Sequence, residues 1–243
     1  MQNNNKPEKS ASSEFDHSGH RDRLRDELLT NGVERMKDYE ILEFLLFYCI
    51  PRKDTRPIAR RLLNKFGSLS AVLDAKENEL AEVEGIGKNS AALLTLFPSI
   101  AGRYLADRKK DKKTALSSAK ELADYLSDFF IGKRTECFYV LCMDGDRRPI
   151  RCELLNEGEE YNVIVNVRRL GLIVAETKAA FVAVAHNHPM ASSAPSAADV
   201  ELTQKIAEIV NALGARLTDH LIFGSDDEFS MANSGFYYAR YFR

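Results

Sequence analysis

Two histidines two positions apart, His186 and His188, stand just before Pro189, and Ser196 and Asp199 follow after a short loop. Imidazole nitrogens and a carboxylate are zinc donors, and three protein ligands with an open fourth position is how catalytic zinc is held. Water at such a position ionises near neutral pH. Ala179 to Ala185 is a short apolar run bounded by turn residues, which suits a buried strand. If that strand continues to His188, its period of two sends both imidazoles to one face. Pro189 lacks an N–H for the ladder and ends the strand. Ser196 follows Pro195 and opens a run of helix formers, so Asp199 lies in the first turn of a helix that starts close to the strand end. The same residues support plainer readings: His-Asn-His-Pro as a polar loop, and Ser196-x-x-Asp199 as a helix N-cap with its acid partner. Activating water also requires a base, so a further acidic residue is expected elsewhere in the chain.

The elements that must position these groups are legible as two sets. Helical patterns cover His20 to Asn31, Asp38 to Cys49, Arg56 to Lys65, Ser68 to Asp74 and Asn78 to Val83, with Pro51 and Gly67 as breaks. Val83-Glu84-Gly85-Ile86-Gly87-Lys88 then leads into an Ala/Leu-rich helix from Asn89 to Leu105. A G-x-G turn between two helices leaves N–H groups exposed at a helix start, which can cradle an anion. Gly85, Ile86, Gly87 and Lys88 therefore read as a helix-hairpin-helix contact to DNA phosphates, or as a tight packing turn. Asp107 to Lys113 is a charge run, expected to be a solvated linker. Beyond it come a helix at Ala119 to Phe130, strands at Glu136 to Met143 and Pro149 to Leu155, and a short strand at Val163 to Val165. A helix at Val167 to Lys178, the strand to His188 and the helix from Ser196 follow, then strands at Arg216 to Phe223 and Phe229 to Met231. This order gives one mixed sheet flanked by helices.

Composition narrows the class. The chain has 243 residues, 44% hydrophobic and 29% charged, with net charge −2, as expected for one or two soluble globular domains. The charge is +3 over residues 1–116 and −5 over 117–243, too mild an asymmetry for a uniformly basic nucleic-acid binder. No apolar segment reaches the roughly 18 residues of a membrane span. Residues 1–19 lack the apolar core of a secretory signal and read as a disordered tail. Cys49, Cys137, Cys142 and Cys152 form no C-x-x-C pair, so they read as reduced thiols of a cytoplasmic protein rather than zinc ligands.

His186-x-His188, seven residues, Ser196, two residues and Asp199 resembles the motif of the JAMM (JAB1/MPN/Mov34) metalloproteases. Ala185 to Pro189, Pro195-Ser196, Asp199, Thr203 and Asp219-His220-Leu221-Ile222 narrow the resemblance to the bacterial RadC proteins, the UPF0758 family. The Arg-rich opening helix, Phe66-Gly67-Ser68-Leu69 and Gly85-Ile86-Gly87 agree, so the resemblance spans residues 20 to 235. It implies an all-helical, helix-hairpin-helix-like domain over 20–105, a charged linker over 106–116, and an α/β JAMM/MPN domain with a mixed central sheet over 117–243. It further implies a Zn²⁺ held by His186, His188 and Asp199, and hydrolysis of a peptide or isopeptide bond in a protein or peptide substrate. Ser196 would stabilise the oxyanion. In the family a glutamate shortly before a glycine on an early strand is the base. Glu153, five residues before Gly158, is taken for that role, with Glu157, Glu159 and Glu160 as competitors. His220 is expected to pack or to orient a ligand.

Two departures from the family pattern stand out. Met190-Ala191 replaces the usual Ser-Gly, and alanine disfavours the positive φ open to glycine, so the loop from Pro189 to Pro195 is expected to be reshaped. Glu159 replaces the usual threonine after Gly158. Other classes stay open: a DNA-associated adaptor in repair or processing whose JAMM domain is non-catalytic, a phosphodiesterase, and Fe(II) in place of zinc.

Overall fold

A computed structural model describes residues 17–110, 114–158, 166–189, 191–235 and 242. The chain divides into two compact units, Met1–Phe97 and Pro98–Arg243.

The first unit is helical: α1 (His17–Asn31), α2 (Asp38–Phe47), α3 (Arg56–Phe66), α4 (Leu69–Asp74), α5 (Glu77–Ala81) and the start of α6 (Lys88–Lys110). Pro57 sits in the first turn of α3, where no N–H is needed. Gly67 closes α3 at φ 93°, and Ser68 caps α4 by accepting from the Ala71 N–H at 3.2 Å. Leu42, Leu46, Leu62, Val72, Leu80 and Leu94 fill the core. One carboxylate lies inside it. Glu43 is fully buried and takes hydrogen bonds from His20 Nε2 at 2.8 Å and Arg56 Nε at 3.2 Å. Arg21 lies over the Phe47 ring at 4.7 Å and donates to the carbonyls of Ile50 and Lys53, each at 2.8 Å. These two residues of α1 bind it to α2 and the turn that follows.

The second unit is built on one mixed sheet. After α7 (Ala119–Leu126) come β1 (Glu136–Met143), β2 (Pro149–Gly158), α8 (Val167–Thr177), β3 (Phe181–Asn187), α9 (Ala197–Ala212), β4 (Arg216–Phe223) and β5 (Glu228–Ser230). The strand order is β2-β1-β3-β4-β5; only β3 and β4 run parallel, with α9 as their crossover. The alternation of side chains sorts the core. Phe138, Val140, Val182 and Val184 face α8 and α9, whereas Tyr139, Leu141, Ala183 and Ala185 face α7. An α/β unit after a helical one is the expected architecture.

Three expectations change in detail. The helix α6 runs on through Arg108, Lys109 and Lys110, so the stretch expected as a linker begins as helix. Lys109 pairs with Asp128 at 2.7 Å and is anchored, not merely solvated. The first helix begins at His17, inside the stretch expected to be a tail. The short strand expected at 163–165 lies outside the described residues. None of the four cysteines is in a disulfide, and burial pushes the thiol of Cys137 up to about 11, away from metal-binding thiolate.

Candidate metal centre

The site forms at the carboxyl end of β3. His186 continues the face of Val182 and Val184, so it points toward α9. Asn187 points the other way. Its Oδ1 accepts from the Cys137 N–H at 2.7 Å and its Nδ2 donates to the Thr135 carbonyl at 3.1 Å, fixing this end of β1 to β3. His188 lies just past the strand, yet its N–H donates to the Phe223 carbonyl at 2.7 Å and continues the pairing with β4. Both imidazoles therefore meet on one side, with Nε2 atoms 3.0 Å apart. Asp199 completes the group: Oδ1 lies 3.1 Å from His186 Nε2 and Oδ2 3.8 Å from His188 Nε2.

Hydrogen-bond polarity says which nitrogen of His188 is bare. Its Nδ1 lies 2.9 Å from the Ser192 carbonyl, which only accepts, so Nδ1 carries the proton and Nε2 the lone pair. The loop bearing that carbonyl is tied down. Asp227 Oδ1 accepts from the Ser193 N–H at 2.9 Å, and Ala191 O accepts from the Ser225 N–H at 3.0 Å. Gly224 permits this approach, since a Cβ there would stand 2.6 Å from the Ser193 nitrogen. The reshaping expected of this loop turns on Met190 and Ala191, and Met190 lies outside the described residues.

The capping reading of Ser196-x-x-Asp199 holds, and the same box leaves Asp199 beside the two histidines. Ser196 caps α9 by accepting from the Asp199 N–H at 3.2 Å, and Asp199 Oδ2 accepts from the Ser196 N–H at 2.7 Å and its hydroxyl at 2.6 Å. The box spends Oδ2 and turns Oδ1 toward His186. Burial works to raise the Asp199 carboxyl, but the adjacent His186 imidazole and the hydrogen bonds from the Ser196 hydroxyl and N–H outweigh it and hold it well below the usual carboxylate range. Ser196, expected as an oxyanion donor, directs its hydroxyl at Asp199 instead.

Glu153 is not brought to the cluster. One oxygen accepts from Arg169 Nη2 at 2.7 Å and the other pairs with Arg151. Its partner across the ladder is Val140, itself opposite Val184, one side-chain step short of His186 and two strands away. The level of His186 on β2 is instead that of Asn156, through Phe138. Glu157 and Gly158 thus hold the site's end of β2. Glu157 leaves the strand opposite Cys137, on the other face from His186, and pairs with Lys133 at 3.0 Å. Glu159 and Glu160 lie outside the described residues.

In the first unit, Val83 and Ile86 are buried and pin the turn between α5 and α6. Gly85 has φ +96°, and a Cβ there would meet Ile58 Cδ1 at 2.8 Å. The hydrogen-bond ladder of α6 starts at Ala91 N–H to Gly87 O, 3.0 Å. Lys88 is exposed at the helix start, and no acid lies in its first turn.

Two converging imidazoles and a capping aspartate at a strand-to-helix junction suit a JAB-type domain, and the comparisons agree. Residues 116–236 match the RadC-like JAB domain and residues 16–92 the UPF0758 N-terminal domain. A UPF0758 protein of Fusobacterium nucleatum is 39% identical over 229 residues, covering 92% of this chain and 99% of the relative. UPF0758 proteins of Ruegeria pomeroyi and Rhodobacter capsulatus are 36% and 38% identical, over 89% and 87% of this chain and 96% and 99% of theirs. The chain belongs to the UPF0758 family and carries its RadC-like JAB domain. Among the described residues no helix is long and apolar enough to cross a membrane.

Proposed function

We propose that the second unit is a zinc-dependent hydrolase of peptide or isopeptide bonds. The observation that carries this reading is the convergence of His186 Nε2, His188 Nε2 and the Asp199 carboxylate within 4.8 Å of one another. Two nitrogen lone pairs 3.0 Å apart repel unless a cation lies between them. Zinc bonds of about 2.0–2.1 Å in a tetrahedron separate neighbouring donors by about 3.3 Å, close to the 3.0 and 3.1 Å found here. The donor set, two neutral imidazoles and one carboxylate, is that of hydrolytic zinc sites. Zinc so held supplies Lewis acidity, polarising a carbonyl and acidifying water.

The chain's residues do the rest. His186 and Asp199 are mostly buried, which keeps the ligand set rigid. Glu153, whose ladder partner Val140 shares the sheet face of His186, is the base in this reading. It exchanges its arginine partners for the attacking water, takes its proton and delivers it to the leaving amine. Glu153→Gln is expected to cut turnover by about a hundredfold to ten-thousandfold, and Glu157→Gln to leave it intact. The measurement is cleavage of a peptide library by the zinc-loaded protein, read by mass spectrometry. Cleavage lost in Glu157→Gln and kept in Glu153→Gln would move the role to Glu157. No chelator-sensitive cleavage at all would contradict the hydrolase reading.

The first unit supports a second role, sequence-independent DNA association at the turn Gly85-Ile86-Gly87-Lys88. The free N–H groups at the start of α6 and the exposed Lys88 suit a phosphate. Binding at low salt is expected, and Lys88→Glu should reduce its salt slope by about one. Absence of binding at low salt would dismiss this role.

A further inference from the structure

Behind the metal centre lies a chain of hydrogen bonds with a single possible direction. Thr203 is one helical turn after Asp199 on α9, and its Oγ1 lies 2.6 Å from the Asp199 backbone carbonyl. A carbonyl only accepts, so the hydroxyl proton points at Asp199. His220 Nδ1 lies 2.6 Å from the same Oγ1. The hydroxyl has spent its proton, so His220 must donate from Nδ1. In the neutral ring that leaves Nε2 as a bare acceptor, and His186 Nδ1 lies 2.8 Å from it. His186 then carries its proton on Nδ1 and its lone pair on Nε2, the atom that faces Asp199 Oδ1 at 3.1 Å.

We propose that Thr203 and His220 are positioning residues that set the tautomer and ring orientation of His186 for metal binding. The inference rests on the zinc reading above. The geometry closes on itself: it runs from the backbone of one ligand, Asp199, through Thr203 and His220 to a second ligand, His186. Helix α9 and strands β3 and β4 are thereby locked at the distance the site requires. Thr203 and His220 are both fully buried, so solvent cannot replace either partner. Phe138 holds both rings, stacked on His186 at 5.9 Å and 10° and edge-on to His220 at 5.5 Å and 66°. His188 obtains the same tautomer from a local backbone carbonyl. His186 has no such carbonyl and relies on side chains from α9 and β4.

The test is zinc affinity of the full chain, by competition with a chelator, in wild type, His220→Leu and His220→Gln. Glutamine keeps an acceptor for His186 and a donor for Thr203. The leucine variant is expected to bind zinc about 10- to 100-fold more weakly, and the glutamine variant to recover most of that loss. A fold-only role for His220 would not separate the two so long as both melt alike in chelator. In parallel, nitrogen-15 NMR of the metal-free wild type at pH 8 should report Nδ1–H tautomers for His186 and His220, a readout that needs no variant to fold. Equal zinc affinity in wild type and His220→Leu, or an Nε2–H tautomer at His220, overturns the relay alone. A wild type that binds no zinc overturns the metal reading and the relay together.

Discussion

Asp199→Ala is expected to weaken zinc binding by roughly a hundredfold to a thousandfold. Structural zinc sites gain about 10–16 kcal/mol from four protein ligands, so one ligand is worth about 3 kcal/mol or a little more. Asp199 is also the only anionic ligand of the three, and its loss leaves two neutral imidazoles facing one cation. The same substitution removes one half of the α9 capping box, which costs about 1 kcal/mol of stability. The two effects separate cleanly. Ser196→Ala damages the cap while leaving all three donors, so it should lower the melting temperature and alter zinc affinity by little. Titration with a chromophoric chelator reads the affinity, and a thermal melt in excess chelator reads the cap. Unchanged affinity in Asp199→Ala would remove the carboxylate from the ligand set.

Arg56→Met is expected to cost the first unit about 3–5 kcal/mol, because it strips a partner from a buried carboxylate. The penalty sits on the side of Glu43, which is fully buried; Arg56 itself is 41% exposed and loses little by release. His20 alone of the two then faces the carboxylate, at 2.8 Å. Replacing both partners with apolar side chains, Glu43→Leu with Arg56→Met, should recover most of the loss. Hydrogen exchange of the α2 and α3 amides is the suitable measure, since a chain of two units need not unfold in one step. Equal protection in wild type and Arg56→Met would show that the pair is ornamental.

How much of this was legible beforehand depends on how local each signal is. The strand, the proline stop and the capping box around His186, His188, Ser196 and Asp199 are local, and the structure brings all four residues together at a strand-to-helix junction. The surroundings of Glu153 are harder to read, because its place is set by pairing across three strands. An irregularity between Phe138 and Tyr139 shifts the register of β2, so Asn156 rather than an earlier residue is level with His186. No single-strand pattern contains that shift. The arginines that occupy Glu153 come from β2 itself and from α8, a contact that periodicity cannot supply. Thr203 and His220 stand out only as letters of a family motif; their role needs the pairing of β3 with β4 and one turn of α9. The charge run after α6 reads as linker by composition, yet arginine and lysine are good helix formers, and Lys109 finds Asp128.

The most direct test of the metal centre is elemental analysis of the purified chain, wild type beside His188→Ala, each offered zinc and then freed of excess. The site as described predicts one zinc per wild-type chain and a loss of stoichiometric metal when the His188 imidazole is removed. No metal in the wild type, or equal metal in both proteins, would contradict it.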